Sequence, residues 1–179
     1  MSELIEANGL QFYVRDQGSG TPVLLLHGFP DTGDLWRNQV PALNKGGFRT
    51  IVPDMRGRGR SSKPSSVSEY RLSSIVRDVT GILDALGVQR AHVVGHDWSA
   101  AVAWLLAALA PERVDRLVAI SVGAPGAGAK PTFEEFQTDR SAWRLFNAAT
   151  YALTGRVIEN ANMTPRLHQV IDGVCAEVQ

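Results

Sequence analysis

The segment that most constrains this chain is an apolar stretch, Ala91 to Val94, that runs into Gly95-His96-Asp97-Trp98-Ser99. An Ala/Leu/Trp run from Ala100 to Ala110 follows with no spacer of turn-forming residues. A strand-like segment that passes into a helix-like one this abruptly must turn sharply at the residue between them. Strand, tight turn and helix, with small residues two before and two after the tip, is the layout of a nucleophile elbow. Gly95 and Ser99 are the small residues here and Asp97 is the tip. Small neighbours are needed because the tip residue sits at strained backbone angles, where larger side chains would collide across the turn. The usual tip residue is serine. A carboxylate is instead ionised at neutral pH and needs no base to activate it, so it can attack an electrophilic sp3 carbon directly. Asp97 therefore points to strained ethers or alkyl halides rather than ordinary esters. A base must then activate water to hydrolyse the alkyl ester formed on the aspartate.

Composition narrows the classes. The chain has 179 residues, 44% of them hydrophobic, which is enough for one domain with a real core. Eighteen Lys and Arg balance eighteen Asp and Glu, which leaves no electrostatic footprint for nucleic acid or an acidic membrane. The lone cysteine, Cys175, excludes an intramolecular disulfide and a cysteine metal site. The opening Met-Ser-Glu-Leu-Ile-Glu is acidic and lacks a secretory apolar core. The longest apolar run, Ala100 to Ala110, is far short of the ~20 residues that span a bilayer. A cytoplasmic protein is expected.

Around the elbow, strands and helices alternate. Leu4 to Ala7 and Leu10 to Val14 flank Asn8-Gly9, a hairpin signal. Pro22 to His27 reads as a buried strand that breaks into Gly28-Phe29-Pro30. Asp34 is placed to cap a helix over Trp36 to Leu43, closed by Gly46-Gly47, and Phe48 to Val52 reads as the next strand. A polar loop rich in Arg and Gly follows, from Arg56 to Ser61. Leu72, Ile75, Val76, Val79, Ile82, Leu83 and Leu86 then keep helical spacing up to Gly87. Ala91 to Val94 is the strand before the elbow and Trp98 to Ala110 the helix after it, stopped by Pro111. Val114 to Val122 is a further strand. This order predicts a three-layer α/β sandwich of six strands, four of them parallel or nearly so, begun by an antiparallel hairpin. From Gly123 to Pro131 the composition is that of a Gly/Pro/Ala linker, and short helical segments are expected beyond Thr132. The expected division is 1–125 for the α/β core and 126–179 for the linker and helical tail.

From about Leu10 to Pro131 the chain resembles the α/β-hydrolase superfamily, and within it the epoxide hydrolase and haloalkane dehalogenase branch. Three motifs carry the resemblance. His27-Gly28-Phe29-Pro30 is similar to the family's oxyanion-loop motif, Asp54 to Ser61 to its loop after the fourth strand, and Gly95 to Ser99 to its aspartate elbow. The resemblance implies that Asp97 is the nucleophile and that the backbone N–H groups of Phe29 and Trp98 hold the oxyanion formed when the ester is cleaved. It implies that His27 braces the oxyanion loop and that Pro30 fixes its turn. Gly28, Gly95, His96 and Ser99 support the motifs. Phe29 favours the epoxide hydrolase side, because it cannot donate the side-chain hydrogen bond with which dehalogenases usually grip the halide. Ser99 stands where the family most often has glycine, so some crowding is expected. Family members continue through a helical cap that supplies tyrosines, and through two more strands whose loops supply the acid and the histidine base. This chain is read as stopping in or just past the cap, with little resemblance beyond Ser141.

Each candidate has a plainer alternative. Asp97 could be a structural turn aspartate. His27 and His96 read as structural members of their motifs, and His92 as a core or edge histidine. His168 is the only histidine late enough to serve as a substitute base, and its context is a surface helix. Tyr151 could stand in for a cap tyrosine or be a half-buried helix residue. Trp36, Trp104 and Phe48 read as core, and Trp98 as pocket lining. The arginines of the loop from Arg56 to Arg60 suggest an anion site only weakly beside the commoner case of solvated side chains on a turn. No metal or organic cofactor is implied, and the expected partner is a small apolar substrate such as an epoxide. Self-association through an exposed sheet edge is also expected. The alternatives to an epoxide hydrolase are a haloalkane dehalogenase-like hydrolase and a non-catalytic, truncated relative.

Overall fold

The computed structural model describes residues 2–123. The first hairpin pairs β1 (Ser2–Ala7) with β2 (Leu10–Gln17) in antiparallel register, Ala7 opposite Leu10. Its two-residue turn places Asn8 at φ 52° and Gly9 at φ 73°, the pair of positive angles a tight hairpin needs to match strand twist. Four further strands follow, β3 (Thr21–Leu26), β4 (Phe48–Pro53), β5 (Ala91–His96) and β6 (Val114–Ile120). They join the hairpin in one sheet of order β1-β2-β4-β3-β5-β6. β2 meets β4 antiparallel, and the pairs β4–β3, β3–β5 and β5–β6 are parallel. The expected six strands, four of them parallel, are present.

Strand periodicity sorts the apolar side chains into two clusters. Leu24 and Leu26 of β3, with Ile51 and Val93, face α2 (Leu72–Ala85) and α3 (Trp98–Leu109), where Val79, Leu83, Val102 and Leu106 meet them. Val23 and Leu25 face the other way, onto Trp36 and Val52. Alternation along a strand sends neighbours to opposite sides, and both sides are covered, so the expected three layers form. α2 ends in a Schellman closure: the Val88 N–H donates to the Leu83 carbonyl at 2.8 Å and Gly87 takes φ 65°.

The segment before β4 differs from expectation. In place of one helix over Trp36 to Leu43 capped by Asp34, a 3-10 turn spans Gly33–Arg37 and α1 spans Gln39–Lys45. Thr32 is the cap of the first, its side chain accepting from the Asp34 N–H. Pro41 explains the break. A continuous helix would need a Pro41 N–H for the carbonyl four residues back, whereas a restart at Gln39 puts Pro41 in the first turn, where no N–H is used. The strand before the elbow also runs two residues further than expected, to His96, because β3 and β6 pair with it on both sides up to Gly95 and His96. The last strand is shorter than expected and ends at Ile120, with Ser121 at φ 78°. Trp36 is buried as expected, but Phe48 and Trp104 are only half-buried, and the Trp104 Nε1–H donates to the Val122 carbonyl.

The topology fixes where chemistry can occur. Chain leaving β3 goes to one side, through α1 to β4, and chain leaving β4 crosses through α2 to β5 on the other side of β3. That reversal opens a crevice at the carboxyl ends of the strands, the usual ligand position in open α/β sheets. Leu26 lies opposite Gly95 in the ladder, so the segments after β3 and β5 emerge side by side there.

Candidate active site

Asp97 sits between β5 and α3 at φ 59°, ψ −124°. This is a sparsely allowed conformation for a residue with a side chain and costs on the order of 1–3 kcal/mol. The surroundings over-determine it. The Asp97 N–H donates to the Ile120 carbonyl at 3.0 Å, while its own carbonyl accepts from the Ala100 N–H at 2.9 Å and starts the helix. A Cβ on Gly95 would lie 2.7 Å from the Ser99 carbonyl carbon and 2.9 Å from the Ala100 Cα, so only glycine lets helix and strand close this tightly. A Cβ on Gly28 would likewise lie 2.8 Å from the Asp97 Cγ, so the segment after β3 also approaches because a side chain is missing.

That segment brings a donor. The Phe29 N–H donates to Asp97 Oδ1 at 2.7 Å, across a sequence separation of 68 residues. The Trp98 N–H also bonds to the Asp97 carboxylate. Burial nonetheless outweighs both bonds: Asp97 is 4% exposed and its pKa is pushed up to about 6, with Asp31 adding like-charge repulsion. The group is still mostly ionised at pH 7. One oxygen is held by the Phe29 N–H, and the rings of Phe29 and Trp98, 46% and 38% exposed, lie on the two segments that meet at Asp97.

The supporting histidines differ from each other. His27 is buried and bonded at both ring nitrogens. The Met55 N–H donates to its Nε2 at 2.9 Å, and its Nδ1 lies 2.9 Å from the Gly28 carbonyl. An amide N–H can only donate and a carbonyl can only accept, so the proton sits on Nδ1 and the ring is neutral. Burial also lowers its pKa. His96 is 1% exposed, and neither of its nitrogens finds a partner among the described residues. Burial lowers its pKa too. Among the described residues no histidine side chain hydrogen-bonds to Asp97. His92 is half-buried on β5 with its Nδ1 3.0 Å from Asp115. Tyr151, His168 and Cys175 lie outside the described residues.

Two features escaped the sequence reading. Asp54, at the end of β4, staples the two loops beside the site: its Oδ1 accepts from the Gly33 N–H and its Oδ2 from the Arg60 N–H, both at 2.9 Å. The expected solvated arginines are corrected at Arg56. Its side chain is 7% exposed and forks onto Asp78 of α2, with both N–O distances 2.6 Å. Asp78 lies 22 residues away on the buried side of a helix, and no local pattern announces that pairing. Arg58 instead stacks on Phe29, its Cζ 4.2 Å from the ring centroid. The Phe29–Pro30 peptide bond is cis. Ser99, expected to crowd the elbow, is buried and donates from its hydroxyl to the His27 carbonyl at 2.6 Å.

Among the described residues no three His, Cys, Asp or Glu side chains group as metal ligands, and no helix is long and apolar enough to cross a membrane. Residues 21–155 match the family model of the alpha/beta hydrolase fold. An epoxide hydrolase from Caballeronia sordidicola is 43% identical over 133 residues, which cover 74% of this chain and 40% of that protein. Epoxide hydrolase B of Mycobacterium tuberculosis is 50% identical over 109 residues, covering 61% of this chain and 31% of that protein. The crystal structure of an epoxide hydrolase from Vigna radiata superposes with a TM-score of 0.69 at 35% identity, over 77% of this chain and 46% of that one. The chain thus spans less than half the length of these relatives.

Proposed function

This chain belongs to the alpha/beta hydrolase fold family, and on that premise we propose that it performs epoxide-hydrolase-type chemistry with Asp97 as the nucleophile. The observation that carries the reading is a strained, buried aspartate with one oxygen held by the Phe29 N–H at 2.7 Å. That bond leaves Oδ2 as the attacking atom. Oδ2 forms a bond to an epoxide carbon, the ring C–O bond breaks, and the ring oxygen takes a proton from solvent water. Water, giving its proton to a base, then adds to the ester carbonyl, and negative charge builds on Oδ1, which the Phe29 N–H holds and for which the Trp98 N–H is the proposed second donor. Collapse releases a diol and restores the carboxylate. His27, Gly28, Pro30, Gly95, His96 and Ser99 act by holding these segments in position.

The substrate is proposed to be a small apolar epoxide, because Phe29 and Trp98 present aromatic surface beside the carboxylate. The relatives from Caballeronia sordidicola and Mycobacterium tuberculosis are epoxide hydrolases, which agrees with that choice. The second half-reaction needs a base. Among the described residues, His27 has neither nitrogen free and His96 is sealed from solvent, and on that footing the purified chain is expected to accumulate the ester at close to one per molecule rather than turn over. On the same reading the α/β core spans 1–125 and the linker and tail 126–179, the protein works in the cytoplasm, and it self-associates along β6, which pairs on one side only among the described residues.

The test is intact-mass spectrometry after incubation with styrene oxide, compared with Asp97→Asn. A single adduct on the unmodified chain and none on Asp97→Asn supports the reading. No adduct on either favours a non-catalytic relative. Many diol molecules per chain would show that a base is present and direct attention to His168. Halide release from an alkyl chloride would favour the dehalogenase alternative.

A further inference from the structure

The Phe29 donor and the Asp97 carboxylate belong to separate stretches of chain, so something must hold their distance. Three contacts anchor the segment carrying Phe29. The Met55 N–H donates to His27 Nε2, the Gly33 N–H donates to Asp54 Oδ1, and the Ser99 hydroxyl donates to the His27 carbonyl. The first two start from the loop after β4. Only the third starts from the elbow, within the first turn of α3, and at 2.6 Å it is the shortest of the three. A serine hydroxyl in a helix commonly bonds a carbonyl of the preceding turn, but this one reaches a carbonyl 72 residues away and is buried with it.

We infer that Ser99 is a positioning residue: it bolts the elbow to the His27 carbonyl and so sets the approach of the Phe29 N–H to Asp97. The two donors at the carboxylate are held differently. Trp98 is the first residue of α3, so its N–H moves with the elbow. The Phe29 N–H lies beyond the His27–Gly28 peptide, and Gly28 is the residue with the widest backbone freedom. Peptide planes are rigid, so fixing the His27 carbonyl relative to α3 leaves little besides the Gly28 torsions to decide where the Phe29 N–H points. Without the hydroxyl, the loop keeps its anchors to the loop after β4, and its tie to the elbow is reduced to the Leu26–Gly95 ladder pair and the Phe29–Asp97 bond itself. This inference rests on the reading of Asp97 as the reacting group, but its readout does not need the reaction.

The experiment is a carboxyl carbon-13 NMR titration of Asp97 in the unmodified chain and in Ser99→Ala, Ser99→Gly and Ser99→Thr. The groups around Asp97 are Asp31, which raises its pKa, the N–H donors of Phe29 and Trp98, which lower it, and the rings of His27 and His96, whose own pKa values burial lowers. All of these stay in every variant, so a difference in midpoint reports the strength of the Phe29 bond. The expected midpoint is about 6 in the unmodified chain. It should rise by about one pH unit in Ser99→Ala and Ser99→Gly, since a hydrogen bond to an ionised group is weakened, and return in Ser99→Thr, which keeps the hydroxyl. An unmoved midpoint with a lowered melting temperature would overturn the inference and leave Ser99 as packing. If the alanine and glycine variants fail to fold, amide exchange in the unmodified chain decides. Slow exchange at Phe29 supports the bolt, and exchange as fast as an open loop overturns it. Where the ester forms, its rate at pH 7 should fall about twofold in Ser99→Ala from lost ionisation alone. If the unmodified chain forms no ester, the nucleophile reading fails while the titration still stands.

Discussion

Asn8 in the first hairpin and Asp97 after β5 hold nearly the same φ, 52° and 59°, and the two turns spend that strain differently. Asn8 is on the surface and is followed by a glycine that shares the turn. Its side-chain amide donates to the Arg77 carbonyl at 2.7 Å, so the turn is also tied to α2. Asparagine tolerates the left-handed region better than most residues, and nothing charged is buried. At Asp97 a carboxylate is removed from water, its pKa rises to about 6, and ψ of −124° lies outside the left-handed helical well. The hairpin turn uses residues suited to its geometry. The elbow forces an ill-suited residue into place with backbone contacts on both sides, and that is the economy of a site rather than of a connection.

Substitutions test this contrast. The largest effect is expected from Gly95→Ala, whose new Cβ would meet backbone of Ser99 and Ala100. A loss of about 3 kcal/mol or more in chemical denaturation is expected, together with loss of ester formation. Near-native stability would mean the elbow is looser than its geometry implies. Next comes Asp97→Asn. Because the folded-state pKa of Asp97 is raised, the folded chain binds its proton more tightly than the unfolded chain between about pH 4 and 6. Stability from this group therefore falls as pH rises through that window. At pH 7 the penalty is fully present, so Asp97→Asn should be more stable by up to about 3 kcal/mol, and the advantage should vanish towards pH 4. Denaturation of both forms at the two pH values tests this, and a constant difference would remove burial of charge from the account. The pH profile of ester formation should carry the same midpoint, near 6, with slower reaction on the acid side.

Smaller effects belong to the hairpin. Asn8→Ala should cost about 1–2 kcal/mol through the left-handed angle and the lost bond to Arg77. Gly9→Ala should cost about 1 kcal/mol, since an added Cβ there meets nothing within 4 Å and only the backbone angle resists it. Neither should move the midpoint of Asp97. A shift would show that the two turns are coupled through α2, where Asn8 touches Arg77 and Asp78.

Much of the architecture is legible in the residues because it follows from local rules. Asn8-Gly9 announces a hairpin, continuous apolar runs announce strands buried on both faces, and Gly95 to Ser99 between a strand and a helix announces the elbow. Where local rules compete, the reading slips. Pro41 splits the expected helix after β3, because a missing N–H outweighs the apolar spacing. The end of β5 moves outward because strand length is decided by its two neighbours rather than by its own composition.

The order of elements, the tip residue and the small residues that let the turn close are readable along the chain, since they depend on sequence neighbours. How the site is held and charged depends on contacts that exist once the chain has folded. The Phe29 N–H reaches Asp97 across 68 residues, Ser99 reaches His27 across 72, and Arg56 meets Asp78 across 22. No periodicity encodes such pairings, because they arise where the crossovers of the sheet bring loops together. The pKa of Asp97 belongs to the same class: it is set by how much water the assembled loops exclude and how many N–H groups they return, and neither quantity exists before the chain has folded.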